Sequence, residues 1–136
     1  MKFQHFIDAQ NPVIATVLDE LRAGHKRTHW MWFVFPQHVA LGRSGMARRF
    51  GLVSIEEARE YLADPMLGGR LVACTEAVLV HRAKSAWAIF GTPDDLKFRS
   101  CMTLFAMAAP QYSIFQRALD EFFGGERDPL TMALLA

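Results

Sequence analysis

Apolar residues recur every three or four positions through most of this chain, the spacing of helices with one buried face. Val13, Ile14, Val17, Leu18 and Leu21 form the first such stripe, with Asn11-Pro12 as N-cap and N1 proline and Gly24 as the stop. Ser54 and Glu57 make a capping box for a helix running to about Asp64. Pro65 opens another, with Leu67, Leu71, Cys74, Val78 and His81 at helical spacing, and Ser85 caps a short turn through Phe90. Thr92-Pro93-Asp94-Asp95 begins a helix to Ala109, its acids placed at the positive end of the helix dipole. Ser113 is the expected cap of the next, which ends at Gly124-Gly125, and Asp128-Pro129 starts a last short one.

The segment KRTHWMWFVFPQ, residues 26–37, breaks this regularity. Its seven residues from Trp30 to Pro36 are all apolar and four are aromatic, so periodicity alone does not separate strand from helix. A lone buried strand would leave its amides and carbonyls unpaired, whereas a helix satisfies them internally. A helix is therefore expected, with Thr28 as N-cap, Pro36 as terminator, and Lys26, His29, Phe33 and Gln37 along one edge. Trp30 and Trp32 then point to different sides, so at most one lines a site while the other packs in the core. There are no repeats, low-complexity tracts or Ser/Gly linkers. The expected fold is all-α: one compact domain over residues 1–136, built of about seven to eight short helices.

Composition agrees with a packed chain. Hydrophobic residues are 51% and charged residues 21% of the 136, and no apolar run approaches the ~20 residues a membrane helix needs. The start, MKFQHFIDAQ, carries charge and amide where a signal peptide needs an apolar stretch, which points to the cytoplasm. Cys74 and Cys101 sit inside apolar patterns and read as buried free thiols. Net charge is only +1, but its distribution is uneven. No acid occurs between Glu20 and Glu56, a span that holds six cations: Arg22, Lys26, Arg27, Arg43, Arg48 and Arg49. Such a face concentrates anions, unless carboxylates from other helices, such as Glu56, Glu57 or Glu60, dock on it.

Candidate chemistry is sparse. His29 adjoins Lys26 and Arg27 and is a candidate ligand residue. His25 and His29 stand four apart but lack the intervening Glu of a zincin, so no metal and no cofactor is expected. Gly42-Arg43-Ser44-Gly45 has only a superficial likeness to a nucleophile elbow. Ser44 reads better as the N-cap of MARRF, with Arg43 beside a helix start that can seat an anion. In PDDLKFRSCMTLFAM, Phe98, Cys101, Met102 and Phe105 form one stripe, and Leu96, Leu104 and Met107 occupy much of the far side. Ser100 and Thr103 are expected to bond back to carbonyls one turn earlier. Lys97 has two expected partners, Asp94 or a ligand shared with Lys26.

THWMWFVFPQ, LGRSGMARRFGL, PDDLKFRSCMTLFA and FFGGERDPLTMALL together resemble, in order and over the full length, the family catalogued as domain of unknown function 1810. The resemblance implies a compact all-α fold and no assigned activity. The family's motif residues fall on Lys26, His29, Trp30, Trp32, Pro36, Gln37, Ser44, Asp94, Lys97, Ser100 and Thr103, with Thr28 and Cys101 replacing serines. Members sometimes carry the name calpastatin, a disordered protease inhibitor, which this composition contradicts. The mixture of polar types suits a cytosolic domain binding an anionic small molecule, phosphorylated or nucleotide-like, through Lys26, His29, Trp32, Gln37, Arg43, Ser44 and Lys97. Should it be an enzyme, His29 and Asp94 are the acid–base candidates, with Lys26 and Lys97 stabilising negative charge. A glycosidase acting on ribose-phosphate compounds is one reaction in view. The alternative is a protein-interaction or structural module whose basic face docks an acidic partner. Near-neutral charge and the lack of a basic recognition helix argue against nucleic acid.

Overall fold

The computed structural model describes residues 2–136. Ten α-helices follow in chain order: α1 Gln4–Gln10, α2 Ile14–Ala23, α3 Met31–Val34, α4 Gly45–Arg49, α5 Ile55–Ala63, α6 Pro65–Leu79, α7 Ala86–Phe90, α8 Asp94–Ala108, α9 Ser113–Phe123 and α10 Pro129–Leu135. A single 3-10 turn, Val39–Leu41, lies between α3 and α4. Among the described residues there is no sheet, only an isolated bridge between His38 and Leu52. The all-α expectation holds, with ten helices rather than seven or eight. Among the described residues no helix is long and apolar enough to cross a membrane.

The capping residues set most boundaries. Ser44, Ser54 and Ser85 each accept the backbone N–H three residues on, at 3.0–3.1 Å. Asp64 closes α5 and its carboxylate caps α6 through Met66 and Leu67, with Pro65 at the first position. Asp128 caps α10 in the same way. Gly24 and Gly124 end α2 and α9 in the left-handed conformation, φ 72° and 62°, which costs glycine nothing. Besides α3, which begins at Met31 rather than after Thr28, three starts differ from the sequence reading. The helix after Asn11-Pro12 begins only at Ile14, with no side-chain cap, and Ser113 is the first residue of α9 rather than its cap. α1 was not expected at all, although Phe3, Phe6 and Ile7 have the three- and four-residue steps of a helix that buries one edge.

α8 is the central post. It packs on α5, α7, α9 and α10, and every residue from Ser100 to Ala106 is buried. α6 packs against α2, α5 and α9, and shares α5 and α9 with α8. The space between is filled with rings. Phe35 meets Phe90 and Phe98 edge-on at 5.9 and 5.1 Å between centroids, and Tyr61 sits among Phe3, Phe6 and Phe105. Full burial of each such ring contributes about 1.5–3 kcal/mol. Cys74 and Cys101 are buried in the same core and unbonded to each other.

Candidate functional site

The aromatic segment is mostly not helix. Only the single turn Met31–Val34 is α-helical, and residues 25–30 form a loop. No helix starts at Thr28; instead Glu20, in α2, gathers the donors of this segment. One Glu20 oxygen, Oε1, accepts the backbone N–H of Arg27 at 2.7 Å and of Thr28 at 3.0 Å, and the indole N–H of Trp30 at 3.0 Å. The other, Oε2, accepts the Thr28 hydroxyl at 2.6 Å. Burial on its own would raise the Glu20 carboxyl's pKa. The donors from Thr28, Arg27 and Trp30 outweigh it and hold the group down at about 2. On the other side, Gln10 donates to the Phe33 carbonyl at 2.7 Å and to the Tyr61 hydroxyl at 3.1 Å. Side chains thus satisfy the backbone that a helix or a sheet would otherwise have to satisfy. The expected common edge of Lys26, His29, Phe33 and Gln37 does not form.

This loop delivers Lys26 to the start of α8. Its backbone N–H donates to the Ile89 carbonyl at 2.7 Å. Its ammonium donates to the Thr28 carbonyl at 2.6 Å, pairs with Asp94 at 2.9 Å, and lies 4.9 Å from the Trp30 ring centre. With its side chain 6% exposed, Lys26 is fully engaged inside the fold. Lys97, one turn along α8, reaches the other Asp94 oxygen only at 3.6 Å and is 26% exposed. Its ammonium stands over Trp32 at 5.3 Å. One carboxylate is therefore shared by two ammoniums, and the nearer takes most of it. The cluster carries a surplus positive charge, and Lys97 is the member that presents it.

Lys97 and Gln37 line two adjoining hollows. The larger is a cleft of about 390 Å³ whose wall also includes Leu41, Leu96, Arg99, Ser100 and Asp128. The smaller is an apolar slot formed by Met31, Trp32, Phe35, Ala47 and Phe50. The cleft's size lies within the range of small-molecule sites. Its polar floor is rigid. Ser100 Oγ donates to Asp128 Oδ2 at 3.2 Å, and Thr131 donates to the same oxygen from both its N–H and its hydroxyl. Asp128 N–H donates to Thr103 Oγ1 at 2.9 Å. Arg99 is held by the carbonyls of Glu126 and Arg127, both at 3.0 Å.

Of the residues singled out from sequence, Trp32, Gln37 and Lys97 meet at these hollows. Lys26 and Asp94 support them from behind. His29 is exposed and takes part in no hydrogen bond among the described residues, and it does not line the cleft. Ser44 spends its hydroxyl capping α4, and Arg43 beside it is exposed. Thr103 donates back to the Arg99 carbonyl and accepts the Asp128 N–H, while the single Ser100 proton is shared between the Leu96 carbonyl at 3.1 Å and Asp128 Oδ2 at 3.2 Å. Asp128 was read only as a helix start, and Arg99 was not singled out. Their one sequence signal is that FRSCMT and ERDPLT are both quoted motifs, with nothing local to say that they touch. Among the described residues the cations of the acid-free window form no ion pair with α5, whose Glu57 and Glu60 pair with Lys2. From the window Glu57 accepts only the Val53 N–H, and the carboxylate that reaches the window's cations is Asp94, on Lys26.

A family model described as "Protein of unknown function (DUF1810)" matches residues 1–135. No curated protein matches the chain. Among solved structures, the crystal structure of the conserved hypothetical protein Rv1873 from Mycobacterium tuberculosis is similar at 50% identity. The match covers 98% of this chain and 95% of that one, with a TM-score of 0.96.

Proposed function

The chain belongs to the DUF1810 family, and from that premise we propose that it binds a small anionic molecule in the cleft between Gln37, Lys97 and Asp128. The observation that carries this reading is the unequal sharing of Asp94. Lys26 neutralises it at 2.9 Å, which leaves the Lys97 ammonium with a weak partner at the mouth of two hollows. A cation held over an indole, without a close counter-ion, in a cleft walled partly by leucines offers an anion a strong, partly desolvated contact. Gln37 supplies a neutral amide on the same rim. Lys26 serves the site by clamping Asp94 rather than by touching the ligand, and Arg43 and Ser44 lie outside the contact.

The test is thermal unfolding in phosphate, sulfate and phosphorylated metabolites against chloride at equal ionic strength. A ligand selective for the native state raises the melting temperature by mass action, whereas general screening acts alike in all of them. An excess effect of the multivalent anions, lost in Lys97→Met and kept in Arg43→Ala, is the expected result. Equal shifts in chloride would leave the module without a small-anion ligand, and docking of an acidic protein would become the better reading.

A further inference from the structure

We infer that the molecule bound in this cleft is a phosphorylated polyol, with its phosphate on Lys97 and its hydroxyl groups on Asp128; this rests on the anion reading above. Asp128 is the informative residue. All three donors that reach its carboxylate, from Ser100 and Thr131, go to Oδ2. Oδ1 receives none among the described residues, although an ionised carboxylate has about four acceptor sites. The group is thus fixed on one side and free on the other, and it forms part of the cleft wall. A fixed, half-used acceptor asks a ligand for donors.

The charge of those donors follows from the neighbourhood. Arg99 occupies the same wall, held to the carbonyls of the two residues before Asp128. Arg99 and Lys97 on the same wall repel an ammonium and offset its attraction to Asp128, whereas a neutral hydroxyl carries no such cost. The negative end of the ligand is in turn repelled by Asp128 and drawn to Lys97, which fixes its orientation. Lys97 and Asp128 line the same cleft of about 390 Å³, so one small ligand can carry an anion to the first and hydroxyls to the second, as glycerol and pentose phosphates can. Leu41, Leu96 and Leu130 flank the cleft, and Leu96 and Leu130 are 55% and 66% exposed, a rim able to cover a carbon skeleton.

The experiment is calorimetric titration of the full chain with inorganic phosphate, glycerol 3-phosphate, ribose 5-phosphate and phosphoethanolamine at one ionic strength. Polyol phosphates should bind about tenfold more tightly than phosphate, the worth of one hydrogen bond to a charged acceptor. Asp128→Asn and Asp128→Ser, which both still cap α10, should abolish that preference, while inorganic phosphate, no longer repelled by Asp128, should bind at least as tightly as it does to the wild type. The inference is overturned if phosphate binds as tightly as the polyol phosphates, if the preference survives both substitutions, or if phosphoethanolamine binds best. Failure of every anion to bind would overturn the anion reading as well. Binding of phosphate without preference would overturn this inference alone.

Discussion

Truncating Glu20 to alanine removes the group that shapes the loop carrying Lys26, and the structure sets the size of the effect. Four donors lose their acceptor. Arg27 and Thr28 are exposed, so water replaces the carboxylate at their amides and hydroxyl. Trp30, 1% exposed, has no such recourse, and its orphaned indole N–H costs about 1–3 kcal/mol. Loss of the charge-assisted bonds adds about 1–2 kcal/mol, for a total of about 2–5 kcal/mol. Glu20→Gln keeps one carbonyl oxygen and should lose only about 1–2 kcal/mol. The two also differ in pH dependence. Glu20 titrates at about 2 when folded, against an ordinary 4.5, so its contribution is complete above pH 4.5 and disappears as the pH falls towards 2. Urea unfolding at pH 7, 4.5 and 3 should show this acid loss in the wild type and a flatter limb in Glu20→Gln. An alanine variant within 1 kcal/mol of the wild type, or an unchanged acid limb in the glutamine variant, would refute the reasoning (both thresholds about the size of one neutral hydrogen bond).

Lys26 and Lys97 should separate by the same urea assay. Lys26→Met breaks a close buried pair and should lose about 2–3 kcal/mol, whereas Lys97→Met, with a looser and more exposed pair, should lose less than about 1. The adjacent glycines of α6 should also behave oppositely. A Cβ on Gly68 would stand 2.1 Å from the Leu62 carbonyl oxygen, so Gly68→Ala should cost about 2–3 kcal/mol. Gly69 has open space, and Gly69→Ala in the helix should gain about 0.5–1 kcal/mol. Burial pushes the Cys74 thiol up to about 12 and Cys101 well above its usual range. A thiol reagent at neutral pH should therefore label neither cysteine in the native protein and both in denaturant.

The helices were legible wherever the chain carries its own punctuation. Ser44, Ser54, Asp64-Pro65, Ser85 and Asp128 act on amides two or three residues away, and a local pattern contains that information. The segment from Lys26 to Gln37 failed for the opposite reason. Its donors and acceptors are satisfied by Glu20, seven to ten residues earlier, and by Gln10, which is farther still, so neither a helical nor a strand pattern describes it. The site divides in the same way. Lys26, Trp32, Gln37, Asp94 and Lys97 could be picked out as polar or aromatic residues within apolar stretches. Asp128 could not, because its place in the wall depends on Ser100 and Thr103, 28 and 25 residues away. His29 stands beside Lys26 and Arg27 in the sequence, yet the loop that Glu20 holds leaves it exposed and away from the cleft that Gln37 and Lys97 line.

Backbone amide shifts in a two-dimensional NMR titration with phosphate would locate the bound anion directly. Saturable changes should centre on Gln37, Lys97, Ser100 and Asp128, and should vanish in Lys97→Met. Changes centred instead on the exposed arginines of α4, Arg48 and Arg49, with the cleft unmoved, would contradict the assignment of the site.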